Sequence, residues 1–272
     1  MNLAQAMLQS NPNEASPPFH PPGTAFFLAG ILLLSSKLNL TMIVVKILFS
    51  IPFGLVAALV AIIAGRFGGT VAAWTGGLFT AFSFGLAVIG TIPSAEILYL
   101  ICLLLTVLLL DAPGSLSPVR FIALGTLTGL GWLIRGEHVL LLPVLACLVV
   151  TANGNGISWV RRTVLFSAFC GIAFLIISPW TIRNYLVLNR INDSIEDATG
   201  DSSHDLPEIV PVTFYGPLNF ALANLPPASG GFTREALPLS AGSYRLNLFD
   251  PVHRRFITDG YQLGIRGLLN DL

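Results

Sequence analysis

Long apolar runs separated by only a few charged residues constrain this chain more than anything else in it. A helix needs about 20 consecutive apolar residues to cross the roughly 30 Å hydrocarbon core of a bilayer. The first candidate runs are Leu40 to Ala64, interrupted by Lys46 and Pro52, and Gly69 to Ile89, rich in small residues. Ala95 to Leu110, Val119 to Ile134, His138 to Val150 and Thr163 to Trp180 follow. Thr24 to Leu34 is too short to cross and suits a re-entrant or interfacial helix. Only 10% of the residues are charged, against about 25% in soluble domains, so the chain lacks the means to cover a water-facing surface. The expected fold is therefore all-α, a polytopic membrane helix bundle of about six spans plus one short juxtamembrane helix.

Charge orients the runs. With the segment before Leu40 outside, alternate loops place Arg66, Arg120, Arg161 and Arg162 inside, as the preference of basic loops for the cytoplasm requires. The same assignment puts Thr91–Glu96, Arg135–His138 and everything after Trp180 outside, with Arg135 as the exception to the rule. Gly125 and Gly129 form a GxxxG spacing, which lets helix backbones approach closely and is read as bundle packing. Beyond Thr181 the chain becomes rich in Asn, Asp, Ser, Gly and Pro, the mark of a solvated, partly irregular region. Pro251 to Leu272 reads as an amphipathic helix with Phe256, Tyr261, Ile265 and Leu268 on one face. The expected organisation is a loop at 1–23, a helix bundle at 24–180 and an external region at 181–272.

Ionisable groups at membrane depth are expensive, and each is a functional candidate. Glu96 follows Ile92-Pro93-Ser94, and a carboxylate in a first helical turn is also favoured by the helix dipole. Arg135-Gly136-Glu137-His138 is a compact charged turn between two apolar runs. It reads either as a hydrated hairpin or as an anion clamp, since a guanidinium fork matches phosphate oxygens in pairs. His138 by itself reads as a polar hairpin residue. Pro179-Trp180-Thr181-Ile182-Arg183-Asn184-Tyr185 closes the last run, with Trp180 and Tyr185 suited to the interfacial belt and Arg183 able to snorkel or to meet an anionic headgroup. His20-Pro21-Pro22-Gly23 sets where the short helix begins. Together these outward polar groups supply the chemistry for holding an anionic lipid headgroup.

The segments His20–Gly23, Arg66-Phe67-Gly68-Gly69, Ser94–Glu96, Gly129–Glu137 and Pro179–Tyr185 occur in an order that resembles the membrane-embedded glycosyltransferases of the GT-C class. The likeness is to the family 39-like group, which includes protein O-mannosyltransferases and the aminoarabinose transferases acting on lipid A. Asn219 to Phe232 resembles the polar loop that follows in that group. The resemblance implies transfer of a sugar from a polyprenyl-phosphate donor, a lipid partner, on the outer face of a membrane, with the acceptor unassigned. It implies lipid-phosphate or substrate contacts for Arg135, Glu137 and Arg183, with His20, Glu96 and Asn184 nearby. In the family an acid in the first external loop acts as base on the acceptor. Here Met1–Leu8 resembles the middle of that loop, and Glu14 does not match the position of the acid. The chain thus reads as an internal piece of the family architecture, truncated at both ends, and the catalytic residue stays unassigned. The expected location is the bacterial inner membrane, as a multi-pass protein.

Two other readings stand beside this one: a catalytically inactive fragment of such an enzyme, and a small transporter. The transporter would require inverted repeats and midplane polar residues, and no convincing repeat is present. Basic and acidic residues balance at 14 each, which gives no nucleic-acid footprint. No H-E-x-x-H, P-loop, C-x-x-C or G-x-S-x-G motif occurs, so neither a metal nor a cofactor is expected. Cys102, Cys147 and Cys170 lie in apolar runs and read as packed small hydrophobes.

Overall fold

The computed structural model describes residues 20–38, 42–92, 94–111, 117–144, 158–200, 205–225, 248 and 250–270. Every regular element among them is helical, and they fall into two compact units. The first unit includes residues 21–178, and the second residues 179–272 together with His20.

In the first unit, α1 (Gly23–Leu38) has 16 residues, about 24 Å of helix, which is short of the hydrocarbon core. The next element, α2 (Met42–Ala81), is a continuous apolar stretch but not a straight rod. At Gly69 the backbone takes φ 71° and ψ −165°, a conformation open essentially to glycine, and the chain reverses there. The two arms then run antiparallel at close range. A Cβ on Gly77 would lie 2.9 Å from that of Ala61, and one on Gly76 3.0 Å from that of Ala64. Residues 42–81 are therefore a helical hairpin zipped by small side chains, the packing that replaces the hydrophobic effect where lipid surrounds the helices. Phe67, Val71, Trp74 and Phe79 along it are exposed.

After Ser83 the short α3 (Phe84–Thr91) returns towards the first arm, where Gly90 meets Phe53. It makes a 110° bend into α4 (Ala95–Asp111), which packs on α5 (Pro118–Ile134). Ser117 caps α5 by accepting a hydrogen bond from the Arg120 amide, and Pro118 occupies the first helical position. The GxxxG pair is where α5 meets α6 (Trp159–Thr199). A Cβ on Gly125 would lie 2.6 Å from the Phe169 carbonyl oxygen, and one on Gly129 2.9 Å from that of Ala173. Around this contact Phe121, Leu124, Leu165 and Phe169 form a buried cluster. Cys102 is buried in α4, Cys170 is half-buried in α6, and Cys147 lies outside the described residues.

By length and composition, residues 46–81 and α6 are the two long apolar stretches among the described residues, and α3 with α4 makes a third candidate. Because the first folds back at Gly69, it is the arm before that turn, residues 46–68, that is long enough to cross. The fold is thus an all-α membrane helix bundle. Six crossings would need the two arms of the 42–81 hairpin to count separately, and also α5, at 17 residues, and the run from His138 to Val150. That run differs from expectation: Gly136–Leu140 is a 3-10 helix, residues 141–144 are helical, and 145–150 lie outside the described residues.

In the second unit the expected solvated loop is instead helix as far as Thr199. At 41 residues α6 is about 62 Å long, twice the hydrocarbon core, and only its first half is apolar. Its polar half is held by side-chain bonds to the main chain of residues 205–214. Asn192, for example, both donates to the Leu206 carbonyl and accepts from the Leu206 amide at 2.9 Å. The unit's core joins Leu188, Leu206, Val210, Phe214, Leu248 and Ile257. Helix α7 (Tyr215–Asn224) packs against the C-terminal pair α8 (Pro251–Thr258) and α9 (Gly260–Asn270). The single amphipathic helix expected from Pro251 is therefore divided at Asp259. Of its expected face, Phe256 is buried, Tyr261 and Ile265 are exposed, and the Leu268 side chain lies outside the described residues.

Candidate functional site

Antiparallel packing of α4 on α5 sets the N-terminal turn of one against the C-terminal end of the other. Glu96 and Tyr99, three residues apart, share a face of α4 there. Arg135, the extended residue that ends α5, reaches across to both. Its guanidinium lies 3.3 Å from a Glu96 carboxylate oxygen, 3.3 Å from one of Glu137 and 5.7 Å from the Tyr99 ring centre. Burial works against the guanidinium's charge. The hydrogen bond and charge of Glu137, then the charge of Glu96, outweigh it and hold the Arg135 pKa above its ordinary value. The side chains remain 36% (Arg135), 48% (Glu96) and 58% (Glu137) exposed, so each ion pair is worth no more than about 1 kcal/mol and can be exchanged for another partner.

His138 departs from the expected hydrated hairpin. It is fully buried, neither ring nitrogen has a hydrogen-bond partner, and the ring meets Tyr99 edge-on at 5.3 Å between centres and 83°. Gly23, which opens α1 after Pro21-Pro22, lies against Leu133 and Ile134 at the same end of α5. The first unit thus gathers Glu96, Arg135 and Glu137, and adds Tyr99 and His138, which sequence reasoning did not assign to the site. The spacing of Glu96 and Tyr99 was the available signal for the tyrosine; nothing local signalled the burial of His138. At the other end of α4, Arg66 pairs with Asp111 at 3.5 Å and donates to the Leu108 carbonyl at 3.2 Å. A groove of about 500 Å³ lined by Arg66, Leu105, Leu109 and Thr126 opens beside it.

Arg183 and Asn184 belong to the second unit and make these contacts within it. The Arg183 guanidinium lies 4.7 Å over the Trp180 ring and donates to Asn184 Oδ1 at 3.3 Å. Asn184 is fully buried, and its Nδ2 donates to the carbonyls of Val210 and Val212 at 3.0 and 3.2 Å. Trp180 Nε1 donates to Val212 and Thr181 Oγ1 to Pro211 at 3.0 and 2.9 Å. The Trp-Thr-x-x-Asn pattern therefore clasps residues 210–212, and Asn184 supports Arg183 from below. His20 is exposed and grouped with this unit.

Residues 19–182 match the family described as dolichyl-phosphate-mannose-protein mannosyltransferase, more than half of the chain. The match includes His20, Glu96, Arg135 and Glu137 and stops short of Arg183 and Asn184. No curated protein and no solved structure matches the chain.

Proposed function

The chain belongs to the dolichyl-phosphate-mannose-protein mannosyltransferase family, and on that footing we propose that it uses a polyprenyl-phosphate-linked sugar whose phosphate is received by Arg135. Membership makes it an integral membrane glycosyltransferase of the GT-C type. The observation that carries the finer reading is the placement of Arg135 at one end of an apolar bundle, partly exposed, with its charge secured by partners it can exchange.

In such a transfer the acceptor's hydroxyl oxygen bonds to the sugar's anomeric carbon and releases its proton to a general base, the bond from that carbon to the phosphate oxygen breaks, and the phosphate leaves with the electron pair. A guanidinium aimed at the leaving oxygens stabilises the charge that develops on them. With both carboxylates bound, Glu96, Arg135 and Glu137 carry a combined charge of about −1. An arriving phosphate must therefore displace one carboxylate, and Glu137, the most exposed of the three, is the one that yields. Exposed apolar side chains along the helices, such as Leu130 and Val107, suit a lipid tail beside the headgroup.

The reading places Arg135 on the outer face of a multi-pass protein of the bacterial inner membrane. Support comes from Arg66, which pairs near the C-terminal end of α4, about 20 Å from Glu96 along the helix and on the side that basic loops prefer. The test is binding of a short polyprenyl phosphate to the detergent-solubilised chain. Arg135→Ala should weaken it by at least about tenfold while leaving the helical content intact, and Arg135→Lys should restore part of it. Unchanged affinity in Arg135→Ala overturns the proposal.

A further inference from the structure

A fully buried histidine with both ring nitrogens unpartnered is costly, so its position calls for a reason other than its own hydrogen bonds. The ring of His138 lies flat against Gly131. A Cβ at residue 131 would sit 2.5 Å from both Cδ2 and Nε2 and 2.7 Å from Cε1, so glycine alone leaves the ring its place. The same ring meets Tyr99 edge-on, and the face of Tyr99 lies under the Arg135 guanidinium. Glu96 and Glu137 reach Arg135 through partly exposed side chains, whereas Gly131 and His138 contribute a buried, rigid support.

We infer that Gly131, His138 and Tyr99 form a packed prop that sets the position of Arg135, and that His138 is a positioning residue for phosphate recognition. This rests on the reading of Arg135 as the phosphate contact. The route is steric and electrostatic. The ring of His138 fixes the tilt of Tyr99, and the negative face of Tyr99 fixes where the cation settles. Phosphate contact then requires no reordering of a long side chain, which is the ordinary entropic cost of binding through arginine.

The experiment is a double-mutant cycle on the full chain in detergent, read by thermal melting and by binding of a short polyprenyl phosphate. His138→Ala and Arg135→Ala are measured singly and together, with Tyr99 present and again with Tyr99→Leu. Arg135 and His138 both engage Tyr99, so the prop requires their melting shifts to be non-additive, and the coupling to vanish with Tyr99→Leu. His138→Ala should also weaken phosphate binding by about tenfold, with no further loss when Arg135→Ala is already in place. Additive melting shifts overturn the prop whatever the binding shows. Coupled melting with unchanged binding in Arg135→Ala overturns the phosphate reading and leaves the prop standing. Should His138→Ala fail to fold, His138→Leu takes its place in the cycle. Tyr99→Phe, which keeps the ring and drops the hydroxyl, should preserve the coupling, and its loss there would equally count against the prop.

Discussion

Gly129 lies so close to Ala173 that a Cβ on it would stand 2.9 Å from the Ala173 carbonyl oxygen and 2.8 Å from the Cβ of Ile176. One turn earlier Gly125 meets Phe169 in the same way. Backbone-to-backbone contact of this kind is the main source of helix association where lipid surrounds the helices. Gly129→Val should therefore lower the stability of the solubilised chain by about 1–3 kcal/mol through overpacking. A melting temperature unchanged from the wild type would show that α5 and α6 can separate without cost.

The hairpin within residues 42–81 makes a prediction that separates backbone strain from packing. Gly69→Ala places a side chain at φ 71°, with nothing within 4 Å to clash, so its cost of about 1–3 kcal/mol is purely conformational. Gly30→Ala, in the helical interior of α1 and equally open, should be neutral or stabilising by up to about 1 kcal/mol. Melting curves of the two variants should move in opposite directions or differ by that margin. Equal shifts would contradict the turn at Gly69.

Asn184 spends its amide on two buried carbonyls. Asn184→Leu leaves the carbonyls of Val210 and Val212 without that donor and should destabilise the second unit by about 1–3 kcal/mol. Limited proteolysis should register this as faster cleavage within residues 205–214. Wild-type cleavage rates would mean that Trp180 and Thr181 hold the segment unaided.

Charge balance around Arg135 leads to a less intuitive expectation. Glu137→Gln removes the carboxylate that competes with phosphate, so affinity for a polyprenyl phosphate should rise by up to about fivefold at low ionic strength. The gain should shrink as salt is added. Weaker binding by Glu137→Gln would instead mean that Glu137 is needed to hold Arg135 in place.

The amino-acid sequence by itself determined that this is a helical membrane protein, because long apolar runs must satisfy their backbone hydrogen bonds internally once water is excluded. The close approach at Gly125 and Gly129 was legible for a similar reason, since four-residue spacing puts both glycines on one helix face. Arg135 stood out because a charge between apolar runs is expensive wherever the chain goes. Its partners were another matter. Glu96 and Arg135 are 39 positions apart and meet only once α4 and α5 lie antiparallel, and that packing also carries Tyr99 beneath the guanidinium. His138 looked like a hydrated turn residue because nothing adjacent marks the hollow at Gly131 that receives its ring. The persistence of α6 to Thr199 was hidden by its polar second half, since composition reports where lipid ends and not where a helix ends. There the helix is held by side-chain bonds to residues 205–214, contacts between segments that only the folded unit brings together.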